Sequence, residues 1–484
     1  MNEITLTALR PLILDFALAL GGLMIFLMDL AMPPGRKRSL GAVSAALCFS
    51  LLLLSFFVDT SGSALYGAYQ GGPWALFFKR VAFLAGGLFC MGSLDHVDRH
   101  FAERQGEFYF LALSTLLGMT LLPGARDLML LVVCFELMGI PLSVLASYAK
   151  TEDKKGPGRH AAEAGMKLFL VSAASTAITL YGLSLVYGMT ATTKIEAIAS
   201  ATRTPLLAVG VLMTLAGMSF KVGAVPFHMW IPDTYQGAPT PFVAFLSVAP
   251  KATGFAALCV LFLRAFRGHR VDGWFPLLLA IVVVSVVLGN LLALPQKDLK
   301  RLLGYSGIAQ VGYMLMALLT GGEYGTAMLL FYVAGYVATN MGAFFVLEAV
   351  SVGKDGVTLD DVDGLARRSP RMALALLLFL LSLAGIPFVV GFWAKLYVFM
   401  AVYEAGLGWL VLFGALMAIV ALFYYLQIAR AAYMNPPRTS EPLVVDRSLE
   451  AAVIVCLLLV VAMGAYPRPF LDMAMSASKA LFFG

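Results

Sequence analysis

The sequence predicts an all-α integral membrane protein of about fourteen transmembrane helices, with helices 7 and 12 broken. Three observations carry that prediction. Hydrophobic residues make up 60% of the 484 residues and charged residues 13%, against about 45–50% and about 25% in soluble domains. Apolar runs of about 20 residues, enough for a helix to cross a ~30 Å hydrocarbon core, recur along the whole chain with short polar gaps. No segment alternates apolar and polar residues as a half-buried strand would, so the expected sheet is at most a short hairpin.

By that length criterion the spans are 11–31, 40–58, 74–94, 107–123, 125–149, 161–187, 205–231, 240–266, 273–294, 300–320, 323–352, 371–404, 408–434 and 447–466. The first run lacks the basic flank and small-residue cleavage site of a secretory leader, so it is read as a retained helix. Two loops stand out: the Gly- and Ser-rich stretch after Val58 and the stretch Pro436–Asp446. Segments 1 to 3 carry no central charge beyond Asp15 near an end, and read as packing or partner-facing helices. The cysteines Cys48, Cys90, Cys134, Cys259 and Cys456 all lie in apolar runs, none in a CxxC spacing, which argues against a disulfide framework, an iron–sulfur cluster or a zinc site.

The net charge of +6 reflects basic loops. In a membrane protein such charge speaks for topology and anionic lipid, and not for nucleic acid. Taking Arg36-Lys37-Arg38 as cytoplasmic puts Lys150, Lys154, Lys155, Lys297, Lys300, Arg301, Arg367 and Arg368 on the same side and both termini outside. Arg264, Arg267 and Arg270 run against that rule.

A weak internal repeat accompanies the pattern. Segment 7 reads Gly-Ala-Val-Pro226-Phe227 with Trp230 beyond it; segment 12 reads Ala-Gly-Ile-Pro387-Phe388 with Trp393 beyond it. The two motifs are five spans apart, and an odd number inverts the second copy, the build of many ion transporters. Proline inside a helix removes a backbone donor, and in lipid such a break is tolerated where the helix lines protein or water.

Four lysines and one glutamate sit in the middle of segments that otherwise read as membrane spans: Glu136, Lys167, Lys221, Lys251 and Lys395. Each costs about 2.5–3.5 kcal/mol at mid-membrane on insertion scales, so a buried polar path for a small ion, the proton above all, is the expectation. Desolvation raises a carboxyl pKa and lowers a lysine pKa, and a close opposite charge reverses both. A Glu136–Lys221 pair is therefore a place where a small change of separation moves a proton. Lys251, next to Pro250, is the expected relay between halves, and Lys395 the counterpart of Lys221. Lys167 lies nearer a helix end: it either snorkels or modulates the Glu136–Lys221 pair. His228, just past the first break, either passes protons toward the uptake side or is structural. Tyr305, Ser306, Gln310, Tyr313, Tyr332, Tyr336, Tyr424 and Tyr425 either hold water or bond neighbouring helices. Asp233 reads as a loop or cap residue.

The run FKVGAVPFHMWIPDTYQGAPTPFVAFLSVAPKATGF (220–255) resembles the antiporter-like, proton-translocating subunits of respiratory complex I, and within them the subunit N group of NADH–quinone oxidoreductases. The phrases FELMGIPLSVLASY (135–148), GNLLALPQKDLKRLLGYSGIAQVGYM (289–314) and AGIPFVVGFWAKLYVF (384–399) support the same resemblance. It implies an N-terminal three-helix segment (1–106), two inverted five-helix repeats (107–266 and 267–434) and a C-terminal helix and tail (435–484). Glu136 and Lys221 would be the coupling pair, Lys251 the relay and Lys395 the distal site. The chain would be a non-redox subunit of a translocase, in a bacterial inner membrane beside other membrane-arm subunits. It would bind no cofactor or metal itself; NADH, flavin, iron–sulfur clusters and quinone would belong to partner subunits. Gln310 stands where the related SxIAHxGY phrase has histidine, and an amide does not carry a proton as imidazole does.

A cation/proton antiporter subunit and a non-transporting scaffold are the competing readings. A sodium carrier would be expected to offer more inward carboxylates, and a scaffold has no need of central lysines. No dinucleotide fingerprint or clustered metal-ligand set marks a cofactor enzyme.

Overall fold

The structure, a computed structural model, describes residues 6–151, 158–202, 204–269, 273–351, 356–439 and 441–483. Lys154, Lys155 and Arg270, used above for topology, lie outside the described residues.

Three helices open the chain: α1 (Ile13–Ala31), α2 (Arg38–Leu54) and α3 (Pro73–His100). Proline at the start of α3 sits where its missing N–H leaves nothing unpaired. Between α2 and α3 the Gly/Ser-rich loop forms a two-stranded antiparallel hairpin, β1 (Ser63–Ala64) with β2 (Tyr69–Gln70).

Then come α4 (Gln105–Leu121), α5 (Leu128–Ala146), α6 (Gly158–Thr190) and the one-turn α7 (Ile195–Ile198). Asp127 caps α5 by accepting the Met129 amide. α8 (Pro205–Val222) starts on Thr204, whose hydroxyl accepts the Leu207 amide, and stops at Gly223, whose φ of 81° favours glycine. The chain resumes as α9 (Trp230–Gly237). Span 8, expected as one helix, is two: α10 (Thr240–Leu246) and α11 (Ala249–Val260). Pro250 is the reason, because its ring disfavours helix through the preceding residues and is tolerated only in the first turn of a new helix. A π-helical turn, Leu261–Ala265, ends the span.

The second half holds α12 (Phe275–Ala293), α13 (Leu299–Leu319), α14 (Glu323–Ser351), the one-turn α15 (Leu365–Arg368), α16 (Pro370–Ala384), α17 (Val390–Glu404) and α18 (Gly408–Met434). α19 (Arg447–Ala465) and α20 (Arg468–Phe483) finish the chain. The stretch after Pro467, read above as a tail, is thus a helix. It buries Ala474, Ala477, Ser478 and Leu481, one face at helical spacing, and Ser478 Oγ donates to the Glu323 carbonyl at 2.6 Å.

Among the described residues twelve helical spans are long and apolar enough to cross a membrane; α2 and α16 are apolar but shorter. The spans sort into two layers. α10, α11, α13 and α14 are buried almost all round, whereas α6 and α18 keep most of their apolar surface exposed, as lipid-facing helices do. The central pillars therefore carry the buried polar groups.

Candidate functional site

The first helix break sits between α8 and α9. Lys221 is the last residue but one of α8, and Glu136 lies near the middle of α5. Both line one cavity with Phe135, Thr176, Thr179 and Met218. Thr176 Oγ1 donates to Glu136 Oε1 at 3.0 Å. Lys221 Nζ lies 5.3 Å from the ring centre of Phe135 and 5.4 Å from that of Phe220. Gly139, one turn beyond Glu136, faces the same ammonium: a methyl there would stand 3.6 Å from Lys221 Nζ, in ordinary contact. Glu136 and Lys221 share a cavity, and the ion pairs within 4.0 Å among the described residues do not include them. The expected contact pair is a separated one.

Lys251 sits on α11, 2% exposed, and its Nζ has no protein hydrogen-bond partner. It lies 5.8 Å from the Tyr235 ring centre. α13 approaches with Gly307, where a methyl would stand 3.1 Å from Lys251 Nζ and 3.0 Å from the Tyr336 hydroxyl. A buried ammonium without a partner is costly, so this lysine gains most from water or from giving up its proton.

The second break separates α16 from α17. α16 ends at Gly385, φ 87°, and Phe388 holds a φ of 78° that costs a non-glycine residue about 1–2 kcal/mol. Lys395, 6% exposed, donates to the carbonyls of Leu383 (2.8 Å) and Ala384 (3.0 Å). A cation is thus placed at the negative end of the α16 dipole and satisfies carbonyls the break leaves open. Gln310 joins the same carbonyl: its Nε2 donates to Leu383 O at 2.9 Å and to Tyr425 Oη at 3.2 Å. Tyr332 donates to Gln310 Oε1, and Ser306 and Tyr425 share a hydrogen bond of 2.5 Å. Tyr424 donates to Asn290 Oδ1 at 3.0 Å. Of the softer candidates, Ser306, Gln310, Tyr332, Tyr424 and Tyr425 are therefore interhelical bonds, while the hydroxyls of Tyr313 and Tyr336 have no protein partner.

Lys167 does not face Glu136. Its side chain is 41% exposed and pairs with Glu163 and Asp233, both at 2.7 Å. Asp233, expected as a loop or cap, also holds Arg301 at 2.6 Å, so the four residues form a surface ion network. Lys167 sits close enough to the helix end to reach water, and that outcompetes the interior. His228 lies in the first break, half-buried, its Nδ1 without a protein partner.

The geometry is one of membrane-buried lysines placed at two helix breaks and between them. Residues 125–421 match the family described as NADH:quinone oxidoreductase/Mrp antiporter, TM. The NADH-quinone oxidoreductase subunit N of Moorella thermoacetica is 40% identical over 475 residues, covering 97% of this chain and 98% of that protein. The chain belongs to the subunit N family of NADH-quinone oxidoreductases. A chain of respiratory complex I from Thermus thermophilus superposes with a TM-score of 0.82 at 32% identity, covering 96% of this chain and 100% of that one. A chain of the Mrp complex from Dietzia sp. DQ12-45-1b superposes with a TM-score of 0.85 at 18% identity, over 99% and 98% of the two chains, a likeness of fold alone. The resemblance read from residues 220–255 is borne out as family membership.

Within this subunit N fold, sequence reasoning missed several buried charges. Lys79 pairs with Asp15 in segments read as packing or partner-facing helices with no central charge beyond Asp15. Lys37 pairs with Asp29 at 2.9 Å, and His96 Nδ1 lies 2.8 Å from Glu348 Oε1. Lys300, read as a loop charge, is buried and donates to the Ala238 carbonyl at 2.9 Å. The signal for Glu348 was available: it interrupts an apolar run much as Glu136 does, so Glu136 is not the sole carboxylate inside the bundle.

Proposed function

We propose that this chain is the proton-translocating membrane subunit of a bacterial NADH–quinone oxidoreductase, driven by electron transfer in partner subunits. The observation that carries the reading is the placing of Lys221 and Lys395 at two matching helix breaks, with Lys251 buried between them. The path runs Glu136, Lys221, Lys251, Lys395, with His228 on the uptake side and Lys167 confined to a surface role. Fourteen crossings result when α2 and the broken pair α16–α17 are added to the twelve long spans. Residues 107–266 and 267–434 form two inverted repeats, flanked by 1–106 and 435–484. Basic loops favour termini on the periplasmic side of a bacterial inner membrane. Neighbouring membrane-arm subunits are the partners, and flavin, iron–sulfur clusters, NADH and quinone are held elsewhere in the complex.

Proton movement follows from the electrostatics of the sites. Lys221 feels Glu136 across a shared cavity. Bringing the carboxylate closer favours the ammonium, and separating them favours release. Lys251, with no carboxylate beside it, accepts a proton only when water or a neighbouring charge compensates the burial. A cation/proton antiporter subunit is the alternative. It draws support from fold likeness, and the lysine-rich path counts against a hard cation.

The test is Lys221→Ala in the native complex, reading NADH–quinone reduction and proton uptake in inside-out membranes, with NADH–ferricyanide activity as the assembly control. Both rates falling sharply with the control intact supports the path. Wild-type rates with the control intact refute it.

A further inference from the structure

Glu348, His96 and Lys300 have no place in the path just described, yet they meet at the end of the bundle's central pillars. Glu348 is 5% exposed on α14, three residues short of its end at Ser351. His96 on α3 reaches it at 2.8 Å with a side chain 17% exposed, so this carboxylate touches a group that touches water. The ring of His100 lies tilted against that of His96, centres 4.6 Å apart, nearer the helix end. Ser351 Oγ lies 3.4 Å from Glu348 Oε2. The charged groups within electrostatic reach of Glu348 are His96 and Arg99 from α3 and Lys300 from α13.

From this cluster two stripes lead inward. On α13 they are Lys300, Gly304 and Gly307, at helical i, i+4, i+7 spacing and so on one face. Gly304 lets Tyr235 close in, 3.3 Å from where a methyl would stand, and Gly307 does the same for Tyr336 and Lys251. On α14 the stripe is Tyr336, Asn340, Phe344 and Glu348, successive i, i+4 neighbours. Along these stripes Tyr235 Oη, Asn340 Oδ1, Tyr336 Oη and Lys251 Nζ are all buried without a protein hydrogen-bond partner. Native interiors pair more than about 90% of buried polar atoms, and buried water commonly supplies the missing bonds, making about three each. A file of water ending on Lys251 would satisfy all four orphans. The Phe344 ring, edge-on to Tyr235 at 5.8 Å, is the lane's one apolar step.

We propose that His96, Glu348 and Lys300 form a second proton-loading site, which feeds Lys251 through a water lane between α13 and α14. The inference rests on the proposed proton-carrying role of Lys251. A proton from bulk water lands on His96 or on the Glu348 carboxylate. It then hops along the file, each water accepting one proton and releasing another, and ends on the Lys251 amine, converting it to ammonium. The loading site regains its starting charge when the proton leaves it. Lys300, held on the Ala238 carbonyl at the end of α9, adds a positive charge to the loading site. Lys251 is thereby supplied without passage through Lys221.

The experiment uses the intact complex in native membranes and compares Glu348→Gln, Glu348→Asp, Tyr336→Phe and Lys221→Ala, with NADH–ferricyanide activity as the control. Glu348→Gln keeps a hydrogen bond to His96 and removes the titration. Proton uptake and quinone reduction are expected to fall about fivefold at about pH 8 and distinctly less at about pH 6, where protons are abundant enough to bypass a loading group. Glu348→Asp recovers most of the loss, and Tyr336→Phe, which deletes one oxygen from the lane, costs about twofold or more. Wild-type rates for Glu348→Gln at both pH values overturn the inference. So does an equal loss at both that aspartate does not recover, because that is a merely structural carboxylate. Should Glu348→Gln fail to assemble, His96→Gln and Tyr336→Phe decide, and unchanged rates in both overturn it. If Lys221→Ala alone lowers the rates, the loading site fails and the translocation reading stands; if no variant does, the translocation reading fails.

Discussion

The two helix breaks use one device and reach opposite results. Each ends a helix on a glycine with φ above 80° and carries a Pro-Phe pair beyond it. Lys221 belongs to the helix that stops, one residue before its last, so its side chain projects sideways toward α5 and α6. Lys395 belongs to the helix that resumes, and reaches back to cap the carbonyls of the helix that stopped. The first lysine is left in a cavity it shares with a carboxylate that does not close on it; the second is pinned in a hydrogen-bonded network with Gln310 and Tyr425. An inverted repeat of sequence thus yields one labile site and one anchored one, because moving a lysine from one side of a break to the other changes whether helix carbonyls lie within its reach.

Four experiments break or sharpen that contrast. The largest effect is expected for Lys221→Ala, which lowers quinone reduction and proton uptake about tenfold or more, on the scale of a lost proton-transfer group. Stability should separate the two sites next. Lys395→Met strips two helix carbonyls of a charged donor and costs about 2–4 kcal/mol, while Lys221→Met costs less than about 1. Thermal unfolding of the purified complex reads this, and equal shifts for the two variants abolish the contrast. Gly385→Ala forces a side chain into the left-handed region and against Lys395 Cδ, 2.9 Å from the new methyl. A loss of about 1–2 kcal/mol is expected from the backbone alone, and an unchanged melting temperature counts against a rigid break. Smallest is Thr176→Val, which deletes the hydroxyl bonded to Glu136 and lowers turnover about twofold to threefold, in line with one hydrogen bond of about 0.5–1.5 kcal/mol. A drop as large as that of Lys221→Ala makes Thr176 part of the path.

Most of the architecture was legible in the chain because lipid imposes a simple rule. Backbone groups in hydrocarbon satisfy themselves only within helices or closed barrels, so about 20 apolar residues already mean a crossing. The breaks at Pro226 and Pro387 were legible for the same reason, since proline denies the ladder a donor wherever it stands. The stretch after Val58 was legible as a loop from its Gly/Ser-rich composition, and a short hairpin was the most sheet expected, but only the structure places that hairpin in this loop. Pro250 carried equal information about span 8, and reading it as part of a continuous helix missed the α10–α11 junction.

By itself the sequence determined which charges sit inside apolar runs, because that is a matter of neighbours along the chain. It could not decide which of them meet. Glu136 and Lys221 come from different helices and stop short of an ion pair, at a spacing set by how α5, α6 and α8 pack. Lys167 and Asp233, 66 residues apart, find each other at the surface. His96 and Glu348 are separated by 252 residues and meet beneath the central pillars. Helical periodicity places a residue on a face and at a depth; only the packing of that face against another helix supplies a partner, a carbonyl or a lane for water, and a buried charge takes its chemistry from whichever it receives.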